Sequence, residues 1–200
     1  MLKIVIATRN AGKLKEISEK LKDYPVVLVS LLDYPQIPEI EEKGTTFSEN
    51  AFLKASTVSH YTNLPALADD SGLEIDCLDG KPGIYSSRWG KTDEERIEKV
   101  LKAIQETRNK ERKARFVCAM CLVIPKYPEN RTLTSEGFCY GKITNFPQGD
   151  AGFGYDPIFM PDGYNLTFSQ LGVEIKNKIS HRAKALDEIL PQIIAYFQLK

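Results

Sequence analysis

The chain has 200 residues, an apolar fraction of 42% and a formal net charge of zero. That length fits one domain spanning 1–200, or one domain with two lobes, and is enough to bury a sizeable core. Zero net charge argues against a long electrostatic footprint for duplex nucleic acid, and no apolar run approaches membrane-spanning length. The start, Met1–Ala7, is too short for a signal-peptide apolar region and lacks a cleavage pattern. With four cysteines (77, 118, 121, 139), the composition points to free thiols in a reducing cytoplasm.

In chain order, Leu2–Ala7 reads as a strand. A helix follows over about Gly12–Lys22, with Leu14, Ile17 and Leu21 at helical spacing. Val26–Val29 is a second strand, and Asp33–Lys43, with two prolines and many acids, is a loop. Thr46 to Glu49 has the capping-box pattern and opens a helix running to about His60. Ala66–Ala68 reads as a strand, Asp69 to Gly72 as an acidic turn and Leu73–Leu78 as a further strand. Thr92 to Glu95 is another capping box, opening a helix whose apolar face is Ile97, Val100, Leu101 and Ile104. Arg115–Ile124 and Thr132–Tyr140 read as strands of a hairpin, where Gly137 and Gly141 suggest a bulge or a close backbone approach. Gln148–Pro157 is a glycine-rich loop. A last helix starts near Ser180, with a stripe of Ala183, Leu186, Leu190, Ile193 and Phe197. Helical crossovers mixed with hairpins imply an α/β fold, a mixed sheet flanked by helices.

Cys118 and Cys121 form a C-x-x-C, but they lie in a strand, where positions i and i+3 face opposite sides. No second pair completes a zinc site, so both read as core thiols.

Five clusters carry chemistry. Adjacent Asp69 and Asp70 end an apolar run, and strand alternation forbids both from entering one core. Burying two carboxylates requires a partner, and Mg²⁺ typically takes one or two carboxylates plus substrate phosphates. Thr8 to Lys13 link the first strand to the first helix, where unpaired N–H groups and the helix dipole suit a phosphate. No Walker A pattern is present, and Asn10 also serves as a cap. Glu41 and Glu42 matter if they fold beside Asp69 and Asp70. In Gly152 to Asp156, two glycines around an aromatic let backbone approach a flat ligand, and Phe153 or Tyr155 can stack on a base. Lys176 to Arg182 place three cations and His181 around the start of the last helix, which the helix dipole disfavours and an anionic ligand would relieve.

Six ordered segments then resemble the inosine triphosphate pyrophosphatase family, the non-canonical purine nucleoside triphosphate pyrophosphatases. They are Ala-Thr-Arg-Asn-Ala-Gly-Lys (7–13), Glu-Glu-Lys-Gly-Thr-Thr-Phe with Glu-Asn-Ala (41–51), Ala-Asp-Asp-Ser-Gly-Leu (68–73), Pro-Gly-Ile-Tyr-Ser-Ser-Arg (82–88), Gly-Phe-Gly-Tyr-Asp-Pro-Ile-Phe (152–159) and Lys176 to Arg182. The resemblance covers nearly the whole chain. It implies an elongated mixed sheet, two lobes with a central cleft, a homodimer, and hydrolysis of ITP, dITP or XTP to monophosphate and pyrophosphate. By that resemblance Thr8, Arg9, Asn10, Ala11, Gly12 and Lys13 hold the phosphates. Glu41 (Glu42 being the alternative) and Asp70 carry Mg²⁺, and Asp70 is the base that activates water. Ser71, Phe153, Gly154, Tyr155, Asp156, Lys176, His181 and Arg182 bind the nucleotide. Arg9 stands where many relatives carry a small residue, and Trp89 where tyrosine or phenylalanine is usual, which bears on substrate preference. Two other readings are a septum-inhibitor-like pyrophosphatase acting on pyrimidine or modified nucleotides, and a nucleotide sensor without turnover. The Ser-His-Arg segment and the Gly-Phe-Gly-Tyr-Asp loop disfavour the first, and the acid pair disfavours the second.

Overall fold

The computed structural model describes residues 2–126 and 129–199. The first strand, β1 (Leu2–Ile6), leads into helix α1 (Ala11–Leu21), and β2 (Val26–Ser30) returns parallel to β1. Helix α2 (Phe47–Thr62) then crosses over to β3 (Ala66–Ile75), which pairs parallel with the other side of β1. Next come α3 (Asp93–Glu106), β4 (Lys113–Ile124), β5 (Arg131–Ile143), β6 (Phe159–Pro161), α4 (Phe168–Ile179) and α5 (His181–Phe197). The six strands among the described residues form one sheet in the order β2-β1-β3-β4-β5-β6. The expected mixed α/β architecture, a sheet flanked by helices, is what the chain adopts.

The chain divides into two compact units. The first comprises Met1–Asp70, Cys118–Gly137 and Arg182–Lys200, and the second Ser71–Val117 and Phe138–His181. In the first unit, Ile17 and Leu21 of α1 and Leu186, Ile189, Leu190 and Ile193 of α5 bury against Ile4, Ile6, Leu67 and Cys118 of the sheet. Helix α2 adds no residue to that cluster but buries Ala51, Ala55 and Val58. This follows from the crossovers. β1 lies between β2 and β3, so the β1-to-β2 and β2-to-β3 connections run in opposite directions along the sheet, and right-handed crossovers then bring their helices to opposite faces. In the second unit, Leu73, Ile97, Val100, Ile104, Phe116, Phe159 and Phe168 form a separate core.

Four sequence expectations are corrected. The acidic turn does not exist: β3 runs unbroken through Asp69, Asp70, Ser71 and Gly72, because flanking elements partner each carboxylate on its own side of the strand. The strand expected to reach Leu78 ends at Ile75, and Asp76–Leu78 forms a 3-10 turn. Thr92 caps α3 by accepting from the Glu95 N–H, but the Glu95 carboxylate accepts from Lys91 N–H rather than closing a box with Thr92. Finally, α4 precedes the last helix, so Lys176 and Lys178 lie in the last turn of a helix, where the dipole favours them. The dipole conflict that pointed to an anion therefore does not arise for these two lysines.

Other expectations hold. Cys118 and Cys121 are buried free thiols on β4. A Cβ on Gly141 would lie 2.3 Å from the Met160 carbonyl oxygen, so β5 and β6 approach closely there. The centre of the turn expected between β4 and β5, residues 127 and 128, lies outside the described residues.

Candidate active site

β1 and its parallel neighbour β3 send their connections in opposite directions, to β2 and to β4, and the carboxyl ends of such strands are where open α/β sheets bind ligands. Thr8 to Lys13 leave the end of β1. Asn10 caps α1, its side-chain oxygen accepting from the Lys13 N–H at 3.0 Å, while the Thr8 hydroxyl oxygen accepts from the Asn10 N–H at 3.1 Å. Ala11 and Gly12 form the first turn of α1. Arg9 also anchors a neighbouring loop. Its Nη2 donates to the Ile37 carbonyl at 2.6 Å and ties down the loop that follows β2.

Asp69 and Asp70 point to opposite faces of β3. Asp69, on the side of Leu67, meets α1 and α5. Its Oδ2 lies 3.0 Å from Lys13 Nζ and accepts from Arg182 Nη2 at 3.0 Å and Nε at 3.3 Å. Arg182 also donates through Nη1 to Glu16 of α1. Burial opposes charge on Asp69, but Lys13 and Arg182, with Lys54 behind them, outweigh it and hold the carboxyl far below its ordinary value. Burial equally opposes charge on Arg182, and Asp69 and Glu16 overcome it and keep the guanidinium charged.

Asp70, on the other face, meets α2. Asn50 Nδ2 donates to its Oδ2 at 3.1 Å, and Lys54 Nζ lies 3.4 Å from its Oδ1. Here burial wins. Desolvation, with Glu42 adding to it, pushes the Asp70 carboxyl above the usual carboxylate range despite the pull of Lys54. Lys54 is bound more closely by Glu42, at 2.6 Å, so one ammonium bridges two carboxylates. Burial works against the charge on Lys54, and Asp70, Asp69 and Glu42 together raise it nonetheless. Glu41 is exposed and pairs with Lys43 at 2.6 Å. Of the two candidate acids, it is thus Glu42 that folds beside Asp70.

The second unit holds the other predicted cluster. Asp156 Oδ2 accepts from the Phe153 N–H at 3.0 Å and from Lys176 Nζ at 2.6 Å, and that ammonium lies 4.2 Å from the centre of the Phe153 ring. Gly152 and Gly154 have φ of 86° and 63°, the left-handed region that glycine tolerates. The Tyr155 hydroxyl donates to the Ser86 carbonyl at 2.8 Å. His181 stacks on Phe116, with ring centroids 4.7 Å apart and planes 12° from parallel. Ser71 is half-buried in β3.

Sequence reasoning missed Lys54 and Asn50 as partners of the acid pair, and Glu16 as a partner of Arg182. A signal was present. Asn50 and Lys54 are four residues apart in a well-capped helix and so share a face, and Glu16 stands three residues after Lys13.

Comparison with known proteins places the chain. Residues 4–192 match the Ham1 family. The chain belongs to the Ham1 family. This Ham1 chain is 47% identical over 193 residues to a protein of Oceanobacillus iheyensis named dITP/XTP pyrophosphatase, covering 94% of this chain and 96% of that one. It is 46% identical to a Geobacter sulfurreducens protein of the same name, covering 93% and 94%. Among solved structures, a HAM1 protein from Coxiella burnetii superposes with a TM-score of 0.88 at 42% identity, covering 98% of this chain and 100% of that one. The Staphylococcus aureus Ham1 protein gives 0.83 at 37% identity, covering 98% and 99%. The resemblance seen in the six motifs is thereby borne out.

Proposed function

We propose that this Ham1 chain hydrolyses non-canonical purine nucleoside triphosphates (ITP, dITP and XTP) to the monophosphate and pyrophosphate, clearing them before they enter DNA and RNA. The observation that carries the reading is the opposed setting of two adjacent acids, Asp69 against Lys13 and Arg182 on one face of β3 and Asp70 against Asn50 and Lys54 on the other. Asp69 is locked in its charged form by Lys13 and Arg182, while burial raises Asp70. Neighbouring carboxylates driven in opposite directions divide structural and proton-transfer roles between them. The names of the relatives supply the substrate class.

In this reading Asp70 accepts the proton of a water attacking the α-phosphorus, the bond to the β-phosphate oxygen breaks, and pyrophosphate leaves. Phosphoryl transfer asks little covalent work of a protein, so positioning and charge dominate. Thr8, Asn10 and the amides of the first turn of α1 hold phosphate oxygens, and Lys13, oriented by Asp69, neutralises charge on the leaving group. The resident metal proposed is Mg²⁺, held by Glu42 and Asp70. These hard oxygen donors already share one cation, the Lys54 ammonium, which supports the fit. When bound, Mg²⁺ supplies charge neutralisation at phosphate oxygens and lowers the pKa of water.

Base recognition is assigned to Phe153, Lys176 and His181. Hypoxanthine and xanthine present a 6-keto oxygen, so a donor aimed there meets an acceptor, whereas the amino group of adenine would confront it with another donor. Arg182 acts through Asp69, to which it is bound. A homodimer and a cytoplasmic location complete the proposal. Among the described residues no helix is long and apolar enough to cross a membrane.

The test is pyrophosphate release from ITP, XTP, GTP, ATP and dTTP with and without Mg²⁺. Mg²⁺-dependent release confined to ITP and XTP is expected. Equal turnover of GTP would contradict the pool-clearing role, and stabilisation by ITP without release would favour a sensor.

A further inference from the structure

We propose that Asp93 is a positioning residue for base selection, fixing the glycine-aromatic loop through the backbone of Gly154. The inference rests on the reading above, in which that loop meets the base.

Asp93 opens α3, yet the helix start does not depend on it. Thr92 caps the helix, and Glu94 and Glu95 also place acids in its first turn. What sets Asp93 apart is the far end of its contact. Its Oδ2 accepts from the N–H of Gly154, 61 residues later in the chain, at 2.6 Å. The carboxylate is itself aimed. Its Oδ1 accepts from Arg96 Nη1 at 2.5 Å, and Arg96 Nε donates to the Gly90 carbonyl at 3.0 Å. The guanidinium is thus held at one edge and orients the acid with the other.

Gly154 needs such a restraint. Its φ is 63° and a Cβ there would meet nothing within 4 Å, so the glycine serves conformation rather than close packing. A glycine has many alternative backbone states, and a charge-assisted hydrogen bond to its N–H selects one. The preceding residue is Phe153, whose N–H is tied to Asp156 and whose ring faces the Lys176 ammonium. Two carboxylates therefore hold successive amides of the loop: Asp156 from within it and Asp93 from α3. Loosening Gly154 frees the Phe153 ring, so base affinity and selectivity suffer while the acid pair in β3 is untouched.

The experiment compares Asp93→Ser and Asp93→Asn with the wild type. Serine suits a helix start but is too short to reach Gly154, whereas asparagine keeps an acceptor oxygen. Asp93→Ser should raise KM for ITP about tenfold and narrow the preference for ITP over GTP, with kcat within about threefold, the pattern of lost binding rather than lost chemistry. Asp93→Asn should stay within about threefold of wild type. A folded Asp93→Ser with wild-type KM and selectivity overturns the proposal. So does an Asp93→Asn as impaired as the serine variant, since that would make charge rather than the tie decisive.

Hydrogen exchange at the Gly154 amide separates this claim from the function itself. If the wild type releases no pyrophosphate, the functional reading fails, and about tenfold faster exchange in Asp93→Ser still supports the tie. Where the serine variant does not fold, Asp93→Asn decides. An amide oxygen is the weaker acceptor, so exchange should quicken about threefold. Unchanged exchange overturns the tie in either case.

Discussion

Lys13 Nζ and two nitrogens of Arg182 converge on one oxygen of Asp69, inside a unit where that residue and Arg182 are almost wholly buried. Buried ions this close are costly to leave half-paired. Asp69→Asn keeps the shape but removes the charge that Lys13 and Arg182 meet, leaving both cations short of a buried counter-ion. Removing one member of such a group typically costs about 3 kcal/mol. A urea titration of Asp69→Asn should show a lower midpoint at unchanged slope, the midpoint shift multiplied by the slope giving about 3 kcal/mol. A wild-type midpoint would show that the network contributes specificity and not stability. At this scale the sequence was partly legible. Alternation in a strand required Asp69 and Asp70 to face apart, but nothing local to them identified Arg182, which arrives from the far end of the chain.

At the scale of elements, the capped and periodic segments were readable, and the rest turned on contacts distant in sequence. Helix α4 went unread because Gly172, with φ of 78°, interrupts its run and breaks the apolar periodicity. Its Thr167–Gln170 capping box was nonetheless present in the sequence. The continuity of β3 was hidden for a different reason. Polar residues in mid-strand look like a turn unless helices on both faces supply partners, and those helices are tertiary neighbours. Gly141 was readable as a close approach because glycine weakens a strand interior and marks a bulge, a bend or a neighbouring backbone that leaves no room for a side chain. A side chain there must displace the backbone of β6, since its Cβ would fall 2.3 Å from the Met160 oxygen and 2.9 Å from Pro161 Cα. Gly141→Ala should therefore lower stability by about 2 kcal/mol, within the usual range for overpacking. Thermal unfolding checks this, and an unchanged midpoint would mean that β6 moves aside freely.

For the whole molecule, each unit carries a core and its own class of chemistry. The first holds the acid pair, its cations and the start of α1; the second holds the aromatic-glycine loop and Lys176. Family and fold were legible because the six motifs span the chain in order. Which of Glu41 and Glu42 lies beside Asp70 was not, since adjacent loop acids differ only in which way the folded loop turns them, and in the fold Glu42 pairs with Lys54 while Glu41 pairs with Lys43. Everything proposed for the reaction depends on Asp70 as the residue that takes the proton. The most direct test is pyrophosphate release from ITP by Asp70→Asn, in protein shown to keep the wild-type fold. A fall in kcat of at least about a hundredfold is the expected result, the usual measure of a lost general base. Turnover near that of the wild type would contradict that role and return both carboxylates of β3 to a structural one.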